Sequence, residues 1–462
     1  MVSFFTDRKN NILLVILVVA LIGKLFIDGF VEINKFPAYI TGVTLHKHFF
    51  PYSNVDDIEM AGVARNVLLG KGYVTDKSFD RPKLRTEVEW PTAFRPKLNV
   101  LVHVIGLKIY AVFNPGFDVA NGVPELYLEK FAESIFALKN IAFIISLFYF
   151  YRLAGLFLSK SSALISTILY CTYPSIILYV GMINIFECII MPCLVIIISI
   201  HLYNRRFNKR FSLPQIIFFT LAIPVICFLK MQVCLIMILF YVVALFDALR
   251  NRSFIKQYLL AYMPANLLIA FFVFYIVAVN YAAFGRVVIS TQSSVNLWHG
   301  HNAFSKGSWN PAIWQQKHAE LQPMLQKDSS LLTQDEYTET QVYRTEAMTW
   351  IKTHPKQELI LCFRKAVIYF LPNNSNNWKI NPLTLLMHLC FFGFIILVVL
   401  RQVRGIEFYY LLSPVIAIFM VNIMFFVEYR WRYIADPFML LLACIFVNYV
   451  AQKIARKNSK TL

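Results

Sequence analysis

The sequence predicts an all-α polytopic membrane protein of about ten transmembrane helices, a single integral membrane domain over 1–462. Three observations carry that reading. First, 58% of the 462 residues are hydrophobic and 16% aromatic, while only 15% are charged. Mean hydropathy is +0.58. Soluble globular domains do not reach this balance. Second, apolar runs long enough to span a bilayer recur at about 11–30, 131–151, 162–180, 184–203, 213–229, 231–247, 257–280, 382–400, 408–427 and 433–450. Third, the short basic clusters alternate with these runs in a way that one topology explains.

The first run follows Arg8 and Lys9 and lacks a small-residue cleavage site, so it reads as a retained span. One further run, Pro96 to Phe113, is ambiguous by composition. Its ten Leu, Ile, Val and Phe residues favour insertion by roughly 3–6 kcal/mol, while a central charge costs up to ~3 kcal/mol. Charge placement decides. Without this run, an inside N-terminus puts Arg152 and Lys160, Arg205 to Arg210, Arg250 to Lys256, Arg401 and Arg404, and Lys453 to Lys460 all in the cytoplasm. Counting it as a span flips every later cluster outside. Pro96 to Phe113 therefore reads as a surface helix. Leu98, Leu101, Val102, Ile105, Ile109 and Val112 share one face, opposite Asn99, His103 and Tyr110.

Two long segments then lie outside: a first outer loop over 31–130 and a second over 281–381. The stretch Ser53 to Tyr73 lies in the first. Ser53 or Asn54 caps a helix over Val55 to Leu69 and Gly70 ends it, with Asp56, Asp57 and Glu59 in its first turns. Carboxylates there sit at the positive end of the helix dipole. An ionised acid at a membrane face can act as a general base toward a hydroxyl; equally, such acids stabilise a helix start. In the second outer loop, Arg344 to Thr353 and Leu359 to Phe370 read as amphipathic helices broken at His354-Pro355.

The net charge of +18 comes from 44 basic and 26 acidic residues, with many of the basic ones in short clusters between apolar runs. Topology and anionic lipid explain it better than nucleic acid. The eight cysteines fall mostly inside apolar runs and form no C-x-x-C, so neither disulfides nor zinc are indicated. His46 and His48, and His299 and His301, lack a third ligand and are weak metal signals. There is no G-x-x-x-x-G-K-[ST] loop, which argues against a pump of the P-loop ATPase type. Carriers often show paired repeats, and no repeat is visible here.

Polar residues collect on the outer side. They include Asp56-Asp57, Arg95-Pro96-Lys97, Glu187 near the outer end of a span, and Glu428 to Tyr433 in the short turn before the last span. Arg430 and Arg432 break the local charge bias. Either they bind phosphate or they snorkel to lipid headgroups. Lys230 reads as a headgroup anchor.

The segment D-D-I-E-M-A-G-V-A-R-N-V-L-L-G-K-G-Y from Asp56 resembles the first outer loop of GT-C glycosyltransferases that use polyprenyl-phosphate sugars, such as protein O-mannosyltransferases and lipid A aminoarabinose transferases. Asp56 falls on the acid position and Asp57 on the paired one. Pro91 to Leu98 resembles the following basic-Pro-Pro-Leu motif, with Arg95 on the basic position and Lys97 in place of the second Pro. Asn296 to Gly307 resembles an Asn-Leu-aromatic-x-Gly-Asn loop, with His301 where Asn is usual and Asn302 next to it. Glu346 to Leu361 resembles a Glu-Ala helix with a Pro break, and Arg432-Tyr433 with Pro437 a late Arg-Tyr motif.

The resemblance implies a GT-C-like fold and an inverting transfer of a sugar from a polyprenyl-phosphate donor to a glycan, lipid or protein hydroxyl. It implies catalytic roles for Asp56 and Asp57. Substrate binding falls to Glu59, Arg95, Lys97, Glu187, His301, Asn302, Arg430, Arg432 and Tyr433. It leaves a divalent metal open. It suggests a bacterial cytoplasmic membrane, in contact with membrane lipids, and the charge placement puts both termini in the cytoplasm and the site on the outer face. A polysaccharide polymerase or ligase using a pyrophosphate-linked donor, and a lipid-linked-sugar carrier, are the alternatives.

Overall fold

The computed structural model describes residues 55–75, 90–93, 96–173, 175–176, 189–308, 310, 336–371 and 382–459. Within them the chain is helical, apart from one antiparallel pair of two-residue strands, β1 (Val74–Thr75) and β2 (Trp90–Pro91). The helices are α1 (Val55–Leu68), α2 (Lys97–Phe113), α3 (Glu125–Ala154), α4 (Lys160–Thr172), α5 (Ile190–Arg206), α6 (Leu213–Leu229), α7 (Val233–Arg250) and α8 (Ser253–Phe284). After them come α9 (Gln292–Gly300), α10 (Glu336–Thr353), α11 (Pro355–Phe370), α12 (Pro382–Val399), α13 (Ile406–Met424), the single turn α14 (Tyr429–Arg432) and α15 (Asp436–Asn458).

Six of these are long and apolar enough to cross a membrane: α3 from Ala137, α7, α8, α12, α13 and α15. The chain is thus an all-α membrane protein. Its large exposed side chains are those a lipid phase would solvate. Leu260, Met263, Leu267, Phe271 and Phe274 all point out of α8. The first apolar run, 11–30, lies outside the described residues, as do parts of 162–180 and 184–203.

One large core unites α3 to α8 with α11 to α15; α12 packs on α15, α3 on α5, α6 on α8 and α7 on α13. Among the described residues, three smaller cores stand apart from it, the third formed by Ala93, Phe284 and Val288. In the first, Ala61 and Ala64 of α1 let that helix approach α2 closely, with Met60, Val63, Val100, Leu107 and Tyr127 filling the seam. In the second, Val295 and Trp298 of α9 pack on Tyr343 and Ala347 of α10.

Helix α1 ends as its sequence demands. Gly70 takes φ +77°, a conformation that L side chains rarely adopt. Its N–H donates to Val67 O at 3.1 Å, and Lys71 N–H to Asn66 O at 3.0 Å, the paired bonds of a Schellman stop. Helix α2 also follows its pattern. Lys97, Asn99, Val100, His103 and Leu107 face the protein, while Ile105, Ile109, Val112 and Phe113 are exposed. Its buried face mixes polar and apolar side chains, and its exposed face is apolar except for Lys108. The break at His354-Pro355 is present, but both flanking helices are longer than their amphipathic patterns predict, since α10 begins at Glu336 and α11 at Pro355.

Candidate functional site

Asp56 and Asp57 fall in the first turn of α1. Their side chains lie outside the described ones, as do those of Arg95, Glu187 and Arg430. What α1 presents is nevertheless anchored. Glu59 is buried. Arg65 donates through Nε to Val119 O at 2.9 Å and through Nη2 to Ala120 O at 2.6 Å, tying α1 to the turn before α3. Asn66 donates to Val74 O at 3.0 Å, which fixes β1 beside the helix. The acid-bearing helix is thus held by α2 on one side and by backbone clamps on the other.

Lys97 opens α2 and is buried. Its Nζ donates to Thr92 O at 2.6 Å and lies 4.1 Å from the centre of the Tyr73 ring. Burial pushes its ammonium down to about 8, against the opposing pull of Glu336. Glu336 joins the segment before α2 to the start of α9. Its Oε1 accepts from Ala93 N–H at 2.9 Å and from Thr291 Oγ1 at 2.5 Å. Sequence reading missed Glu336 because its partners are 45 and 243 residues away. No local periodicity reports such a contact.

His301 and Asn302 follow α9 and are both buried. Asn302 spends its amide on its own loop, donating to Trp298 O at 2.7 Å and accepting from Phe304 N–H at 2.8 Å. His301 Nδ1 meets Glu358 Oε1 at 2.7 Å, and its Nε2 lies 3.2 Å from Lys365 Nζ. The neighbouring His299 is held neutral. Burial lowers it to about 4, and its Nε2 accepts from Asn310 N–H at 3.1 Å. Just before them, Gly300 admits the backbone of Phe425; a Cβ at this position would stand 1.7 Å from Phe425 O. Glu358 and Lys365 were also missed. Their signal was present, since Glu358, Leu361, Lys365 and Tyr369 form one buried i, i+3/i+4 stripe that mixes charge into the core face of α11.

Arg432 corrects one expectation. It does not snorkel, because it is fully buried. Its Nη1 donates to Leu371 O at 2.9 Å, capping the end of α11, and its Nε stands 3.7 Å from Asp436 Oδ1. Asp436 accepts in turn from Ser175 Oγ. Tyr433 is buried too, with its ring 5.8 Å from the guanidinium. Lys230 is likewise no headgroup anchor. It is buried, with Nζ 5.0 Å from the Trp431 ring, so α6 ends against the α14 turn.

The structure therefore brings Lys97 onto Tyr73, in the segment that follows α1, and His301 close to a lysine and a glutamate on α11. Arg432 and Tyr433 lie together near the α11 terminus. Among the described residues, no three His, Cys, Asp or Glu side chains group closely enough to hold a metal ion. No protein-family model, curated protein or solved structure matches the chain.

Proposed function

We propose that this membrane protein is a GT-C-type glycosyltransferase of ten spans. It moves a sugar from a polyprenyl-phosphate donor to an acceptor hydroxyl on the outer face of the cytoplasmic membrane. The observation that carries the reading is the pairing of α1 with α2. A helix whose first turn holds Asp56 and Asp57 is clamped to a helix with an exposed apolar face and a buried cation at its start. A long lipid chain has an apolar flank to follow, and its phosphate has a cation to meet.

The chemistry asks for a base and for positive charge. Asp56 takes the proton of the acceptor hydroxyl while the oxygen attacks the anomeric carbon. The bond from that carbon to the phosphate oxygen breaks, and the lipid phosphate leaves as an anion. Arg95 and Lys97 neutralise it, and Asp57 orients the acceptor. One in-line displacement inverts the anomeric centre. Burial suits Lys97 to this task, because a cation that sheds its proton near pH 8 is held more firmly charged by an arriving phosphate. Arg432 keeps the end of α11 in place rather than touching the donor.

The test is mass analysis of cell-envelope glycans from cells with and without the protein. Loss of one sugar substituent is the expected result. In membranes, transfer should require the monophosphate donor, and transfer from a pyrophosphate donor alone would overturn the reading in favour of a polymerase or ligase.

A further inference from the structure

Three ionisable side chains meet where the loop after α9 packs on α11 and α13. The contacts of His301 impose a choice. Its Nδ1 lies 2.7 Å from a carboxylate oxygen of Glu358, and its Nε2 lies 2.6 Å from the carbonyl oxygen of Met424. Both partners only accept, so satisfying both requires a proton on each ring nitrogen. Yet Lys365 Nζ stands 3.2 Å from the same Nε2 while donating to Ile423 O at 3.0 Å. An ammonium beside an imidazolium at that distance repels it. An ammonium beside a neutral Nε2 has an acceptor, but then Met424 O loses the proton it is placed to receive. One proton fits between Nε2 and Nζ; two do not. Water cannot screen the conflict, since His301 is 5%, Glu358 8% and Lys365 0% exposed.

We propose that His301 and Lys365 share a single proton when this junction is closed, and that uptake of a second proton loosens it, making the contact of α11 with the Met424 end of α13 a pH-responsive latch. The groups facing the pair fit a charge count of one. Helix α11 supplies Glu358 and also Cys362, whose Sγ–H donates to Glu358 Oε1 at 3.2 Å. Helix α13 supplies the carbonyls of Ile423 and Met424. On the α9 side, neutral His299 is turned to Asn310 N–H, and Gly307 abuts the Lys365 chain. One carboxylate thus balances one shared cation. Burial would raise Glu358, but the His301 hydrogen bond and the nearby positive charge hold it below the ordinary carboxylate value. Burial lowers Lys365 to about 8, against the pull of Glu358 and Cys362.

The test is hydrogen exchange of the full-length protein in lipid nanodiscs, corrected for intrinsic rate, at pH 7.5 and 9.5. If opening restores an ordinary lysine, protection of residues 299–308 and 355–370 rises roughly twentyfold between these values, by proton linkage. Lys365→Met removes the lysine that takes the second proton and flattens the profile to less than about threefold, whereas His301→Gln leaves that lysine buried and alters the profile only by removing the imidazole that shares its proton. A flat wild-type profile overturns the proposal even if a variant does not fold. So does a profile that persists unchanged in folded Lys365→Met or folded His301→Gln.

Discussion

The two ends of α13 hold their charges differently. At the Glu407 end, Arg205 reaches Asp247 through Nε at 2.5 Å and Nη2 at 3.0 Å, and Glu407 through Nη1 at 2.5 Å. The hydroxyls of Tyr258 and Tyr410 add donors to Asp247 at 2.9 and 3.3 Å. Each oxygen of that buried carboxylate is served, and α5, α7, α8 and α13 are joined by the same few atoms. At the Met424 end, charges are buried just as deeply but served less completely. Asp436 Oδ1, Tyr369 Oη and His388 Nε2 are buried with no hydrogen-bond partner among the described residues. Lys365 faces a histidine. A saturated carboxylate fixes helices, and at that end the one orphan beside it is the Nε2 of His201, against Tyr410, among the described residues. An under-saturated network keeps capacity for a ligand, a proton or a movement, at a cost of roughly 1–3 kcal/mol for each orphaned group. The first end is a clasp. The second keeps polar groups in reserve.

That contrast can be broken by experiment. Arg205→Met should give the largest loss of stability, about 3–5 kcal/mol, because it strands the Asp247 carboxylate in the interior. Reversible unfolding in a detergent titration measures it, and a loss below about 1 kcal/mol would mean that the clasp does not bear on stability. Gly300→Ala comes next, at about 1–3 kcal/mol or more, because its methyl would overlap the Phe425 backbone and push α9 off the end of α13. A crystal structure or exchange map of this variant should show the change confined to the Met424 end.

A smaller, graded effect follows from Lys97. Unfolded, its ammonium keeps its proton to about 10.5; folded, it releases it near 8. Between these values the unfolded chain binds more protons, so stability rises with pH there and this gain is absent below about 8. Lys97→Met should remove that share of the slope. The Arg205 end has no such lysine and should leave the slope unchanged when mutated, which separates it from Lys97 in one pH series.

Much of the fold was legible because it is written locally. Helix α2 declared an exposed apolar face through residues a turn apart, such as Ile105 and Ile109 against buried His103 and Leu107, and only the surroundings decided which face is covered. Gly70 and His354-Pro355 marked their stops through backbone chemistry that needs no partner. The site was less legible, because its pairings are distant in sequence. Lys365 finds His301 across 64 residues, and Glu336 finds Ala93 across 243. A lone arginine such as Arg432 reads as exposed because its type usually is, yet here two backbone carbonyls at the end of α11 and an aspartate one turn on enclose it.

The most direct test of the functional account is sugar transfer by the purified protein in nanodiscs, supplied with a labelled polyprenyl-monophosphate donor and an acceptor extract, comparing wild type with Asp56→Asn. The account predicts transfer by the wild type, a loss of roughly 10²- to 10⁴-fold in the variant, and unchanged unfolding of both. Undiminished transfer by a folded Asp56→Asn protein would contradict it.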